Sequence, residues 1–144
     1  MIGVYLNFPG NTMEALPYYR QAFDAGEPYV MRYTDMPEED QQSAGPEMKD
    51  MVMYSALTTY AGVLEMSDDL PERGFTPNSA CWISVTHDNA DALRRTFEFL
   101  ARDGEVIMPM EPAFFSPLYG QVRDKFGYHW MLMLPSPLEG DTAG

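Results

Sequence analysis

The chain has 144 residues, 45% of them apolar and 13% aromatic, and a net charge of −13. That size and composition bound it to one globular domain or two small halves sharing a core. They exclude a nucleic-acid surface, because the nine Lys and Arg are scattered singly or in pairs such as Arg94-Arg95, so the acidity reads as solubility.

Residues 2–8 read as a short buried strand, ended by Pro9-Gly10. Asn11 has the chemistry of a helix N-cap, and its helix is expected to run to about Asp24 with Leu16, Tyr19 and Phe23 on one face. Pro17 is tolerable only near the first turn of that helix, and Gly26 suits the stop. Tyr29 to Tyr33 reads as a second strand. Residues 35–50 are polar and acidic, the composition of an exposed, mobile loop with a solvated charge run. Residues 51–59 and 62–66 are two strands joined by a tight turn near Ala61-Gly62.

Residues 69–78, with Pro71, Gly74 and Pro77, have the composition of a linker. Residues 80–86 form a strand, and Asp88 caps a helix to about Arg102. Its Leu93, Phe97 and Leu100 point inward, Arg94 and Arg95 outward, and Asp103-Gly104 ends it. Glu105 to Met108 is a strand, Pro109 to Pro117 a loop, and Leu118 to Arg123 a strand. Asp124-Lys125-Phe126-Gly127 has tight-hairpin chemistry, with Gly where positive φ is needed. Tyr128 to Leu134 is the closing strand, and 135–144 a frayed tail. No apolar run reaches the roughly 20 residues that span a bilayer, and no basic-then-apolar leader is readable. With a single cysteine, Cys81, read as a buried small hydrophobe, these features predict a cytoplasmic protein with no membrane partner.

One motif occurs twice. Asn11-Thr12-Met13-Glu14-Ala15-Leu16 and Asp88-Asn89-Ala90-Asp91-Ala92-Leu93 each follow a strand and open a helix, at a constant offset of 77 residues (Ala15 to Ala92, Phe23 to Leu100). A repeated strand–helix opening implies a duplicated module. The order becomes βαβββ twice, with modules 1–68 and 79–134 in a single domain. There are too few helices for a doubly wound parallel sheet, and the two caps disfavour an all-antiparallel fold, which leaves α+β.

That order, with the motifs inside it, resembles the vicinal oxygen chelate superfamily of glyoxalases, bleomycin-resistance proteins and extradiol dioxygenases, and within it the PhnB-like branch. The residues that carry the resemblance are Tyr5-Leu6-Asn7-Phe8 with Asn11 and Glu14-Ala15-Leu16, Met31-Arg32-Tyr33 with Asp35-Met36-Pro37, Ser67-Asp68, Tyr119-Gly120, Asp124-Lys125-Phe126-Gly127 and Trp130-Met131. The resemblance covers residues 2–134. It implies two βαβββ modules whose sheets make an open barrel-like cup, and it implies a homodimer. PhnB-like proteins often carry the label 3-demethylubiquinone-9 3-methyltransferase. A Rossmann-type methyltransferase needs a glycine-rich loop after its first strand, and Phe8-Pro9-Gly10-Asn11 does not supply one.

Metal-dependent members of the superfamily take ligands from four strands. The resemblance places those positions near Val4 or Tyr5, at Glu65, near Cys81 or Trp82, and near Met131. One good ligand in four cannot hold a divalent ion in a specific geometry, so no metal or other cofactor is expected. His87 reads as a surface residue, whereas alternation puts His129 on the face opposite Trp130 and toward the cup. Glu65 reads either as an outward, solvated acid or as a desolvated carboxylate inside the cup that accepts a proton or binds a cationic ligand. The reading is a metal-free cup for an aromatic or apolar small molecule, lined by Tyr5, Asn7, Glu65, Trp82, Tyr119, His129 and Trp130. Two other readings stay open: a metal-dependent lyase, isomerase or dioxygenase, and a dimeric scaffold without a ligand.

Overall fold

The computed structural model describes residues 1–42, 45–70, 72 and 74–137. Most of the expected tail, 138–144, and Pro71 and Arg73 of the expected linker lie outside the described residues. The chain divides into two compact units, one ending at Thr76 and one beginning at Pro77.

The first unit contains β1 (Val4–Phe8), α1 (Thr12–Ala22), β2 (Tyr29–Arg32), α2 (Glu38–Gln41), β3 (Val52–Thr59) and β4 (Gly62–Asp68). Its sheet runs β1-β4-β3-β2, with β1 parallel to β4 and the other neighbours antiparallel. The second unit contains β5 (Trp82–Thr86), α3 (Ala90–Arg102), β6 (Glu105–Ala113), β7 (Ser116–Arg123) and β8 (His129–Met133). Its sheet runs β5-β8-β7-β6, again with the outer first strand parallel to the last. Neither sheet closes into a barrel, and the βαβββ order stands in both units.

Strand alternation sorts each sheet into a covered and an uncovered face. In the first unit Leu6, Phe8, Leu57, Leu64 and Met66 are buried on the side where α1 packs through Ala15, Leu16, Tyr19 and Phe23. In the second, Val85, Leu118, Val122, Trp130 and Leu132 are buried under Leu93, Phe97 and Leu100 of α3. A Cβ on Gly120 would stand 2.5 Å from Met110 Sδ and 2.9 Å from Phe97 Cε2, so any larger residue there must push aside the side chains of β6 and α3 that meet over it.

The repeat holds through the helix and then breaks. β5 starts 78 residues after β1, and α3 starts 78 after α1 (Trp82 against Val4, Ala90 against Thr12). Residues 33–51 separate β2 from β3, whereas only 114–115 separate β6 from β7. The longer segment, expected as a loop, contains α2 and two 3-10 turns at Tyr33–Asp35 and Pro46–Met48, with no residue of these turns buried.

Four local expectations are corrected. Asn11 is the N-cap of α1 but makes no side-chain capping bond; the Thr12 N–H is instead taken by Asp68 Oδ1 at 2.8 Å. In the second copy the N-cap is Asn89, not Asp88, and its Oδ1 accepts from Ala92 N at 3.1 Å. Pro17 lies in the second turn rather than the first, on the exposed side of the helix. The helix ends at Ala22 with Phe23 as its C-cap, and Asp24 just beyond takes the left-handed conformation (φ 48), while Asp24 N and Ala25 N bond back to Gln21 O and Arg20 O. Gly26 plays no part in that stop.

The expected loop 109–117 is also corrected. β6 continues through Pro109 and Pro112 to Ala113, and β7 begins at Ser116. This is possible because β6 is an edge strand, so a missing N–H costs no ladder bond; register shifts mark the path.

Two buried carboxylates fix the strand ends. Asp68, 6% exposed, accepts from Thr12 N and, through Oδ2, from Val52 N at 2.9 Å, tying β4 to α1 and β3. Asp124, 2% exposed, accepts from Phe126 N and Tyr128 N on Oδ1 and from Trp130 Nε1 on Oδ2. It shapes the β7–β8 turn, where Gly127 has φ 96.

Replacing Asp68 by Ala leaves two buried N–H donors without an acceptor and is expected to cost about 2–5 kcal/mol in urea unfolding. Asn89→Ala is expected to cost about 1 kcal/mol and Asn11→Ala under about 0.5, since only Asn89 makes a capping bond. Burial and the Asp124 charge push the Tyr128 phenol up to about 12 from 10.0. The neutral phenol is the form the fold favours, so this contribution to stability is complete below pH 10 and lost as pH rises through about 12. Wild type is therefore expected to lose stability relative to Tyr128→Phe across that window, and the variant to lack one late-titrating phenol by ultraviolet absorbance.

Candidate functional site

The residues expected to line a cup fall on the two uncovered sheet faces, with one exception. In the first unit, Tyr5 and Asn7 alternate with the buried Leu6 and Phe8 and so point away from α1. Glu65 is the register partner of Tyr5 and shares its face. It is half-buried, between the full exposure and the full enclosure that its sequence allowed.

A polar network joins Tyr5 and Asn7 through Ser67. Tyr5 Oη donates to Ser67 Oγ at 2.8 Å, and Ser67 Oγ lies 3.5 Å from Asn7 Oδ1, to which it donates. The phenol of Tyr54 on β3 is pushed up from 10.0 by burial first, then by the Glu65 carboxylate beside it. The Tyr29 ring lies 6.2 Å from the Tyr54 ring. Tyr5 and Tyr29 remain 49% and 56% exposed, so this face offers aromatic surface to solvent. Among the described residues no Lys, Arg or His pairs with Glu65.

In the second unit, Trp82 and His129 are register partners on the uncovered face, with ring centroids 4.9 Å apart. Trp82 Nε1 donates to Ser79 O at 2.8 Å, which holds the indole in place. His129 Nδ1 is buried and has no hydrogen-bond partner among the described residues. Tyr119 shares the face; its hydroxyl accepts from Gln121 Nε2 at 2.7 Å, and its ring meets Phe115 edge-on at 4.8 Å. Met131 and Met133 complete the surface. Trp130 lies on the opposite, helix-covered side: it is 0% exposed and spends its indole N–H on Asp124. The structure therefore brings Tyr5, Asn7 and Glu65 together on one sheet, groups Trp82, Tyr119 and His129 on the other, and sets Trp130 in the core.

Cys81 is exposed, not buried, because it precedes β5 rather than lying in it. Sequence reasoning missed Tyr54. The available signal was parity, since Tyr54 stands two residues before Ala56, the antiparallel partner of Glu65. A separate shallow hollow is lined by Pro17, Arg20, Gln21, Asp24 and Ala25, all from α1 and its C-terminal turn.

Register also tests the fit to a metal. Tyr5 pairs with Glu65 in the first unit, and Trp82 pairs with His129 in the second. Each pair supplies one donor of metal-binding type beside an aromatic side chain. No group of three or more His, Cys, Asp or Glu among the described residues is arranged to hold a metal ion. The donor set of either unit does not fit a divalent ion.

The Glyoxalase/Bleomycin resistance protein/Dioxygenase superfamily profile matches residues 3–132. The chain is 31% identical to Protein YjdN of Escherichia coli (strain K12) over 134 residues, which is 89% of this chain and 90% of that protein. Among solved structures it is similar to protein PA1353 from Pseudomonas aeruginosa, at 32% identity and a TM-score of 0.77, covering 94% of this chain and 97% of that one. It is also similar to the PhnB protein from Bacillus cereus, at 27% identity and a TM-score of 0.70, covering 92% and 98%.

Replacing Glu65 by Gln removes the charge that opposes ionisation of Tyr54. Its phenol is expected to titrate at lower pH in Glu65→Gln, shown by an NMR titration of the ring signals. An unchanged Tyr54 titration would contradict the contact.

Proposed function

The chain belongs to the Glyoxalase/Bleomycin resistance protein/Dioxygenase superfamily, and from that premise we propose that it is a metal-free protein that binds a small molecule carrying an aromatic or apolar group. The observation that carries this reading is the Trp82–His129 pair. An indole held by Ser79 O lies beside an imidazole whose buried Nδ1 has no partner among the described residues. A rigid ring supplies stacking area at little entropic cost. Tyr119 and Met131 extend the apolar area of the same face.

The homodimer and the cytoplasmic setting belong to the same proposal. No described helix is long and apolar enough to cross a membrane, and the single free thiol of Cys81 suits a reducing compartment. A metal-dependent enzyme would need donors that neither sheet supplies.

The two tryptophans make the test specific. Trp130 is enclosed and hydrogen-bonded, so a ligand on the uncovered face alters the emission of Trp82. After a thermal-shift screen, a hit is expected to change tryptophan fluorescence saturably. Trp82→Ala is expected to weaken calorimetric binding at least tenfold, about 1.4 kcal/mol or more, while leaving Tm nearly unchanged. Full-affinity binding to Trp82→Ala, or no saturable hit from a broad set of aromatic compounds, would count against the reading.

A further inference from the structure

His129 stands in a row that crosses the second sheet: Trp82, His129, Arg123 and Glu105, each the register partner of the next on β5, β8, β7 and β6. Its two neighbours in that row are donors without an acceptor atom. The Trp82 indole N–H is spent on Ser79 O, and the Arg123 guanidinium pairs with Glu105 Oε2 at 2.9 Å. His129 Nδ1 is enclosed and has no partner among the described residues. The ring is only half-buried, and its other nitrogen, Nε2, is not enclosed in this way, so the imidazole meets the uncovered face through Nε2.

The enclosed atom cannot reach a ligand, but it decides what the exposed one offers. A neutral imidazole carries one proton, on either nitrogen, and the nitrogen without it is an acceptor. A proton on Nδ1 would leave an enclosed N–H donor facing donors only, at the full desolvation cost of that group. A bare lone pair in the same place is the more tolerable orphan. The proton therefore belongs on Nε2, where it faces outward. The fold itself gains nothing from the enclosed nitrogen, since a phenyl ring would fill the same space and leave no polar atom unpaired. A residue that the core does not need points to a role on the uncovered face.

We propose that His129 is held as the Nε2–H tautomer and that the ligand beside Trp82 carries a neutral acceptor oxygen, such as the carbonyl of an aryl ketone, which takes that N–H. The net charge of −13 repels anions, which favours a neutral acceptor over a carboxylate or phosphate. The proposal rests on the reading of this face as a small-molecule surface and names the group that the second sheet selects.

Two measurements on the full chain test it. Long-range proton–nitrogen correlation NMR of histidine-labelled protein at alkaline pH reads the tautomer, with His87→Gln separating the two histidines. The expected result is a protonated Nε2 and a bare Nδ1 at His129. Acetophenone and α-methylstyrene share a ring and a shape but exchange C=O for C=CH2, and each is titrated into wild type and His129→Phe by backbone-amide NMR. The variant keeps a ring against Trp82 and removes the donor, and its Tm is expected to match or exceed that of wild type. The ratio of the two Kd values is expected to move at least about fivefold toward the alkene in His129→Phe. The tautomer, read on the wild-type ring, decides the matter if His129→Phe folds poorly. A proton on Nδ1, or a Kd ratio that does not move, overturns the donor assignment and leaves ligand binding beside Trp82 standing. No saturable shift in wild type with either probe overturns both.

Discussion

Each four-stranded sheet in this protein has one long helix, and one helix can cover one face. That constraint governs the rest of the structure. Strand alternation sends one residue in two toward the helix and the next away from it. The helix-facing set is Leu6, Phe8, Leu57, Leu64 and Met66 in one unit and Val85, Leu118, Val122, Trp130 and Leu132 in the other, and it makes the cores. The alternate set is relieved of that duty. It holds tyrosines, a tryptophan, a histidine and a carboxylate, residues that a core tolerates poorly and a binding surface uses well.

The buried carboxylates keep this sorting in register. A slip of one residue would exchange the two faces of a strand and place Glu65 under α1. Asp68 opposes such a slip by holding β4 to the start of α1 and the start of β3 at once. Asp124 does the same for β8, since its bonds to two turn amides and the Trp130 indole fix which residues of that strand face inward. His129 is presented on the uncovered face because Trp130 is pinned on the other.

Much of this was legible in the sequence. The repeated Ala-Leu pairs at 15–16 and 92–93, spaced by 77 residues, located both helices and their buried faces. Alternation in residues 129–133 gave His129 and Trp130 opposite faces, as found. What escaped were features that depend on distant partners. Asn11 has a cap residue's chemistry, yet Asp68, far along the chain, takes the first helical N–H. Pro109 and Pro112 look like loop residues until β6 is known to be an edge strand. Trp130 was grouped with the other aromatics by residue type, and only the Asp124 contact shows that its polar atom is already committed.

The central claim, that ligands bind the uncovered faces, is tested most directly by methyl NMR of methionine-labelled protein with a bound ligand. Met31, Met131 and Met133 lie on the uncovered faces, and Met66 is enclosed beneath α1. The account predicts shifts at one or more of the first three methyl signals and little at Met66. Shifts confined to Met66, or no perturbation of the three face methionines by a ligand that binds saturably, would contradict it.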